Sequence, residues 1–175
     1  MLELPVLNNF QIQETKPSNG NGQHQTYKVG VRRKTRIVNV GGILVGGTYP
    51  ISVQTMTKTK TSDVDATVKQ ICDAADAGCD IVRVTVNDKE AADAMTEIVK
   101  RSPIPIVADI HFNHIFALKS IEANVAKVRL NPGNIGSKER IKQVLDAAKA
   151  KHIPIRIGVN SGSLEEDILD RKSVV

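Results

Sequence analysis

Arg83, Asp109, His111, Arg129, Asn131, Arg156 and Asn160 each sit inside or at the end of a short run of Val, Ile, Leu and Ala. Ionised groups within apolar runs must be paired or must meet a ligand, because an unpaired buried ion costs several kcal/mol. Guanidinium is planar and forked, and it matches phosphate oxygens two at a time. Three such groups against one carboxylate predict a deep cavity for a multiply charged anion. Asp109 and His111 are two residues apart, so on a strand they share a face. His111 is of the type that donates to a phosphate or shuttles a proton. The plainer reading of Asp109 is a pair with a neighbouring arginine, and it stays open beside the first. Asp109 and His111 would supply two metal ligands, but no third is evident. No metal site and no catalytic group are assigned.

The elements that carry these residues alternate regularly. Thr35–Val40, Gly41-Gly42 and Ile43–Val45 predict a β-hairpin with a Gly-Gly turn. Strands follow at 51–56, 80–86, 104–110, 125–130 and 154–159. Helices are predicted at 63–77, 88–100, 113–122 and 137–150, and another starts at Leu164–Asp170. Asp63, Asn87 or Asp88, and Ser137 are the candidate caps, and Gly78 stops the first helix. Parity then divides each strand. Val82, Val84 and Val86 oppose Ile81, Arg83 and Thr85; Ile106, Ala108 and Ile110 oppose Val107, Asp109 and His111. Ala126, Val128 and Leu130 oppose Lys127, Arg129 and Asn131, and Ile155, Ile157 and Val159 oppose Arg156, Gly158 and Asn160. On the first strand of this series, Gln54 joins the polar set. Each apolar face should meet helices, which leaves the polar faces inside.

Regular alternation of this kind implies parallel strands with right-handed crossovers. A dinucleotide fold would place a glycine fingerprint after its first strand, but Gln54-Thr55-Met56-Thr57-Lys58-Thr59 has no glycine. The expected class is therefore α/β: an incomplete TIM (β/α)8-type barrel of about five parallel strands, preceded by a short hairpin. Five strands cannot close a barrel of eight, so the chain is expected to be a fragment or to find its missing edge elsewhere. The organisation expected is a disordered leader at 1–30, the hairpin at 31–48 and the partial barrel at 49–175. The leader is read from Pro17 to Gln25, which is rich in breakers; no Arg precedes Arg32, which argues against a transit peptide. Two loops at strand ends, Asn131-Pro132-Gly133-Asn134-Ile135-Gly136 and Asn160-Ser161-Gly162-Ser163, lead into helix starts and are expected to offer N–H groups to phosphate.

Composition narrows the partners. Aromatic residues make up 3% and Trp is absent, which leaves little for stacking on nucleic-acid bases. The net charge is +5, and Arg32, Arg33, Lys34 and Arg36 hold most of it, so no nucleic-acid role is expected. No apolar stretch approaches a membrane span and no secretory signal opens the chain; a cytoplasmic protein with reduced thiols is expected. Cys72 and Cys79 lack metal or redox spacing and read as packing residues.

Taken in order, Pro50-Ile51-Ser52-Val53-Gln54-Thr55-Met56-Thr57, Asp80-Ile81-Val82-Arg83-Val84, Val107-Ala108-Asp109-Ile110-His111-Phe112, Arg129 to Gly136 and Ile155 to Leu164 resemble the 4-hydroxy-3-methylbut-2-enyl diphosphate synthase family. The resemblance runs from about Arg32 to Leu169. It implies a barrel that binds 2-C-methyl-D-erythritol 2,4-cyclodiphosphate in isoprenoid biosynthesis, and a separate domain holding a [4Fe–4S] cluster through three Cys and one Glu. It also implies ferredoxin or flavodoxin as electron donor and a homodimer. By position, Arg83, Arg129, Asn131, Arg156 and Asn160 would hold the diphosphate, with Gln54, Asp109, His111, Asn134, Ser161 and Ser163 as further substrate-site candidates. The cluster domain and its ligands are absent from this chain, so the chain alone is expected to be inactive. Two alternatives are a pterin-binding barrel similar to dihydropteroate synthase, and a non-catalytic fragment with exposed strand edges.

Overall fold

Short polar side chains cap most of the helix starts, and left-handed residues follow most of the helix ends. Asp63 accepts from the Ala66 N–H at 3.1 Å and Asp88 from Ala91 at 2.7 Å. Asn113 accepts from Ile115 at 2.9 Å and Ser137 from Arg140 at 3.5 Å. Each satisfies one of the N–H groups that a helix leaves unbonded in its first turn. Beyond the helix ends, Gly78, Asn124 and His152 have φ of 88°, 60° and 56°, the backbone turn that reverses the chain into the next strand.

The computed structural model describes residues 35–159. The leader expected at 1–30, the first residues of the 31–48 unit, the loop residues Asn160, Ser161 and Ser163, and the helix expected at Leu164–Asp170 lie outside the described residues. The described elements are β1 (Val38–Val40), β2 (Ile43–Val45), β3 (Gln54–Met56), α1 (Val64–Asp76), β4 (Ile81–Thr85), α2 (Lys89–Arg101) and β5 (Ile106–Ile110). They continue with α3 (His114–Glu122), β6 (Lys127–Leu130), α4 (Pro132–Ile135), α5 (Lys138–Ala150) and β7 (Ile155–Ile157).

β1 and β2 form the expected antiparallel hairpin, with Val40 opposite Ile43 across the Gly41-Gly42 turn. β3 to β7 form a parallel sheet in sequence order, β3-β4-β5-β6-β7. A doubly wound sheet reverses its strand order; this one does not. With each crossover right-handed, every helix falls on the same face, as in a (β/α) barrel. The barrel is not closed among the described residues.

The apolar parity set is buried under the helices. Val82, Val84, Val86, Ile106, Ala108, Ile110, Val128 and Leu130 pack in one core with Ile71, Met95, Ile98, Ile121 and Val144. The opposite face is not polar along its whole length. At its N-terminal end Ile81 and Val107 are buried with Val40 of the hairpin, and Ile43, Val45 and Ala126 pack around them. The hairpin thus floors the concave side of the sheet. Its turn lies so close that a β-carbon on Gly41 would stand 2.8 Å from Ala126 Cβ and 2.9 Å from Pro105 Cβ.

Strands are shorter than alternation predicts, because pairing rather than parity sets their ends. β3 covers only Gln54–Met56. Upstream, Val53 bonds the loop at Asp80: its N–H donates to Asp80 Oδ2 at 2.7 Å and its carbonyl accepts from the Asp80 N–H at 2.9 Å. The 131–136 loop also differs from expectation. Pro132 opens a single helical turn, and the N–H groups of Asn134 and Ile135 donate to the Asn131 carbonyl at 3.0 and 3.3 Å. A fixed φ suits proline to that first position. Those two N–H groups are spent within the turn, so this loop does not present them to a phosphate. Among the described residues no helix is long and apolar enough to cross a membrane.

Candidate anion-binding site

Register brings the inward charged residues together. Thr85 pairs with Asp109 on β5, Asp109 with Arg129 on β6, and Arg129 with Arg156 on β7. One step toward the floor, Met56, Arg83, Val107 and Lys127 form the neighbouring row. The two rows hold Arg83, Lys127, Arg129 and Arg156 against a single carboxylate, Asp109.

Asp109 is the centre of the cluster and is 1% exposed. Arg129 Nη1 donates to its Oδ1 at 3.0 Å. Arg83 Nε lies 3.1 Å from Oδ2, but its N–H is turned off the line to that oxygen, so the contact is an ion pair without an aligned hydrogen bond. Arg83 Nη2 reaches Met56 Sδ at 3.1 Å. His111 Nε2 is 3.8 Å from Oδ2, beyond hydrogen-bond reach. The side chain of Arg129 is 12% exposed and that of Arg83 28%. One carboxylate therefore holds two guanidiniums, and the plainer reading of Asp109 describes its observed contacts.

Lys127 shares the inward parity and was not singled out as a site residue. It is half-buried, and burial holds its ammonium below the usual lysine range, with the Arg156 guanidinium adding to the effect. Its place after Ala126 on the Arg129 parity was the available signal. Gly158 also belongs here: the Arg129 guanidinium lies directly over it.

The remaining candidates are less tightly gathered. Asn131 is buried at the end of β6. Arg156 and Gln54 are exposed, and Asn134 is half-buried within α4. Asn160, Ser161 and Ser163 lie outside the described residues. The deep cavity expected here is instead an open concave face, because among the described residues no strand pairs with the far side of β7. The loop after β3 is ordered over the same end of the sheet. Gln70 Oε1 accepts from the N–H groups of Lys58 and Thr59, and the Thr61 hydroxyl donates to the Thr85 carbonyl at 2.7 Å.

Cluster chemistry has no support in these residues. Among the described residues no group of three or more His, Cys, Asp or Glu side chains could hold a metal ion. Cys79 is buried, with its thiol donating to the Ile81 carbonyl at 3.0 Å, and Cys72 is half-buried on α1. Both behave as packing residues.

Comparison with known proteins gives a consistent result. The GcpE TIM-barrel domain family matches residues 35–175. A Lysinibacillus sphaericus protein named 4-hydroxy-3-methylbut-2-en-1-yl diphosphate synthase (flavodoxin) is 57% identical over 140 residues, covering 80% of this chain and 38% of the relative. The Clostridium perfringens protein of the same name is 55% identical over 140 residues, covering 80% and 40%. The chain thus spans about two fifths of the length of these curated relatives. Among solved structures, the Xanthomonas albilineans dihydropteroate synthase superposes with a TM-score of 0.51 at 13% identity, over 77% of this chain and 54% of that one. That likeness concerns the fold alone.

Proposed function

The chain belongs to the GcpE TIM-barrel domain family, and we propose that it is the substrate-binding barrel portion of a 4-hydroxy-3-methylbut-2-enyl diphosphate synthase. In this reading it binds 2-C-methyl-D-erythritol 2,4-cyclodiphosphate, which the complete enzyme converts reductively to 4-hydroxy-3-methylbut-2-enyl diphosphate. Flavodoxin or ferredoxin is the electron donor, and the working form is a homodimer. The relatives' names carry the flavodoxin part of this reading.

The observation that supports it most is the charge imbalance around Asp109. Its carboxylate is shared by Arg83 and Arg129, while Lys127 and Arg156, which influence each other, add positive charge to the same two rows of the sheet. A diphosphate supplies the missing negative charge, and guanidinium forks suit its oxygens. Arg83, Arg129 and Arg156 are proposed to grip the diphosphate, with Asn131 and Asn160 beside them. Gln54, Asp109, His111, Asn134, Ser161 and Ser163 are proposed to surround the rest of the substrate.

A [4Fe–4S] cluster needs a set of thiolate or equivalent ligands. Two cysteines, one buried and hydrogen-bonded to backbone, do not fit that requirement. The part of these residues in the reaction is to bind and orient the diphosphate, and the chain by itself is proposed to be inactive.

Titration calorimetry of the full 175-residue chain with the cyclodiphosphate tests the reading. Binding is expected, weakened about tenfold or more by Arg129→Ala through loss of a charge-assisted contact. A hydroxymethylpterin should not compete. Tight pterin binding would favour the dihydropteroate-synthase-like alternative. Absence of cyclodiphosphate binding, or binding indifferent to Arg129, would overturn the proposal.

A further inference from the structure

We propose that Gly158 is a positioning residue: the space left by its missing side chain is the slot that holds the Arg129 guanidinium against Asp109. A β-carbon built on Gly158 would stand 2.5 Å from Arg129 Nε, 2.8 Å from Nη2 and 2.9 Å from Cζ. Non-bonded heavy atoms sit at roughly 3.5–4.0 Å, so even a methyl group cannot share this space with the guanidinium. The backbone gives no other reason for glycine here, since Gly158 is not among the residues with positive φ.

The slot cannot easily move away. The Gly158 N–H donates to the Leu130 carbonyl at 2.8 Å, next to Arg129 itself. The guanidinium is held from the opposite side by Asp109 Oδ1 at 3.0 Å. It therefore lies between Asp109 on β5 and Gly158 just past β7, and only the Asp109 bond resists its displacement. A side chain at 158 must displace it. Its displacement strains or breaks the Asp109 bond. Alternation had placed Gly158 on the inward face between Arg156 and Asn160 without a role. The role is steric permission: the central guanidinium lies flat because the neighbouring strand carries hydrogen where other residues carry carbon.

For its effect on ligand binding this inference rests on the anion-site reading; for the packing it does not. The test separates the two with Gly158→Ala, Arg129→Ala and the double variant of the full chain. The Arg129 Nε–H resonance in nitrogen–proton correlation spectra should move or broaden in Gly158→Ala. Urea unfolding should show that Gly158→Ala destabilises the parent chain but not the Arg129→Ala chain, whose slot is already empty. Inorganic pyrophosphate should bind Gly158→Ala about tenfold more weakly than the parent, with no further loss when Gly158→Ala is added to Arg129→Ala. An unmoved Arg129 resonance, or equal destabilisation in both backgrounds, overturns the positioning role. A moved resonance and background-dependent destabilisation, with no pyrophosphate binding by any of the proteins, would uphold the slot and sink the anion site.

Discussion

Replacing Asp109 by Asn should destabilise the chain and at the same time tighten its hold on anions. The substitution keeps the side-chain shape and leaves an oxygen for Arg129 Nη1, now 3.0 Å from Oδ1, so it removes charge without opening a cavity. Two guanidiniums then lose their shared counter-charge. Breaking a buried pair by deleting one partner costs about 3–5 kcal/mol. Water reaches Arg83, whose side chain is 28% exposed, and less of Arg129, at 12%. The penalty therefore falls mainly on Arg129, which puts the expected loss at the low end, about 3 kcal/mol. Urea unfolding of the full chain measures it as a lower midpoint with an unchanged slope. Anion binding moves the other way, because the carboxylate no longer repels a phosphate. Inorganic pyrophosphate should bind the variant more tightly and restore more of its stability than it adds to the parent; at a hundred times Kd the gain is about 2.7 kcal/mol. A variant within about 1 kcal/mol of the parent, with equal pyrophosphate shifts for both proteins, would refute Asp109 as the counter-charge of the cluster.

Gly41→Ala should cost about 2 kcal/mol, since φ of 59° is strained for alanine and the new carbon meets Ala126 and Pro105. Gly42→Ala, with a positive φ but open space around it, should cost about 1 kcal/mol by the same denaturation assay. Lys127→Met should stabilise the chain near neutral pH. The folded state holds the Lys127 pKa below that of the unfolded chain, so the unfolded chain binds the proton more readily. The penalty removed by methionine is present in full below the lowered folded pKa. It fades as pH rises from there through the unfolded value near 10.5, and stability measured across that window should show the two proteins converging. Solvent at its exposed half limits the gain to less than about 1 kcal/mol. Val53, just before β3, and Ile157, on β7, lie at the two outer edges of the described sheet and are 56% and 66% exposed. The 175-residue chain should self-associate through such edges in sedimentation velocity, and the double change Val53→Lys with Ile157→Lys should reduce it; a parent chain that stays a monomer at high concentration would speak against open edges.

What could be read from the sequence was what alternation alone decides. Val82, Val84 and Val86 had to share a face, and so did Arg83 with Thr85 and Asp109 with His111, because successive residues on a strand point oppositely. Helix starts were legible for a similar local reason: Asp63, Asp88 and Ser137 cap the helices they precede. Strand ends were not legible, since Ile51, Val53 and Ile104 continue the pattern where no partner strand continues the ladder. The hairpin floor was missed because a face reading Ile81-Arg83 or Val107-Asp109 does not say which residue another element will cover. Pro132 carried a helix-start signal that the neighbouring glycine obscured.

The arrangement around Asp109 has a logic that residue types do not display. One carboxylate cannot saturate two guanidiniums. Arg129 spends one aligned N–H on Asp109, and Arg83 meets it by charge with poor alignment. The carboxylate is enough to keep both cations from being uncompensated in a poorly solvated setting, and too little to occupy their donors. Such a cluster is organised before any ligand arrives, which lowers the ordering cost of binding. A second buried carboxylate in these two rows would make the site more stable and less receptive to a phosphate. The hydrogen of Gly158 serves the same end, because it lets the central guanidinium be held by shape as well as by charge. Receptivity to anions is therefore expected to vary inversely with the stability of the empty cluster, and Asp109→Asn shifts both quantities in one step.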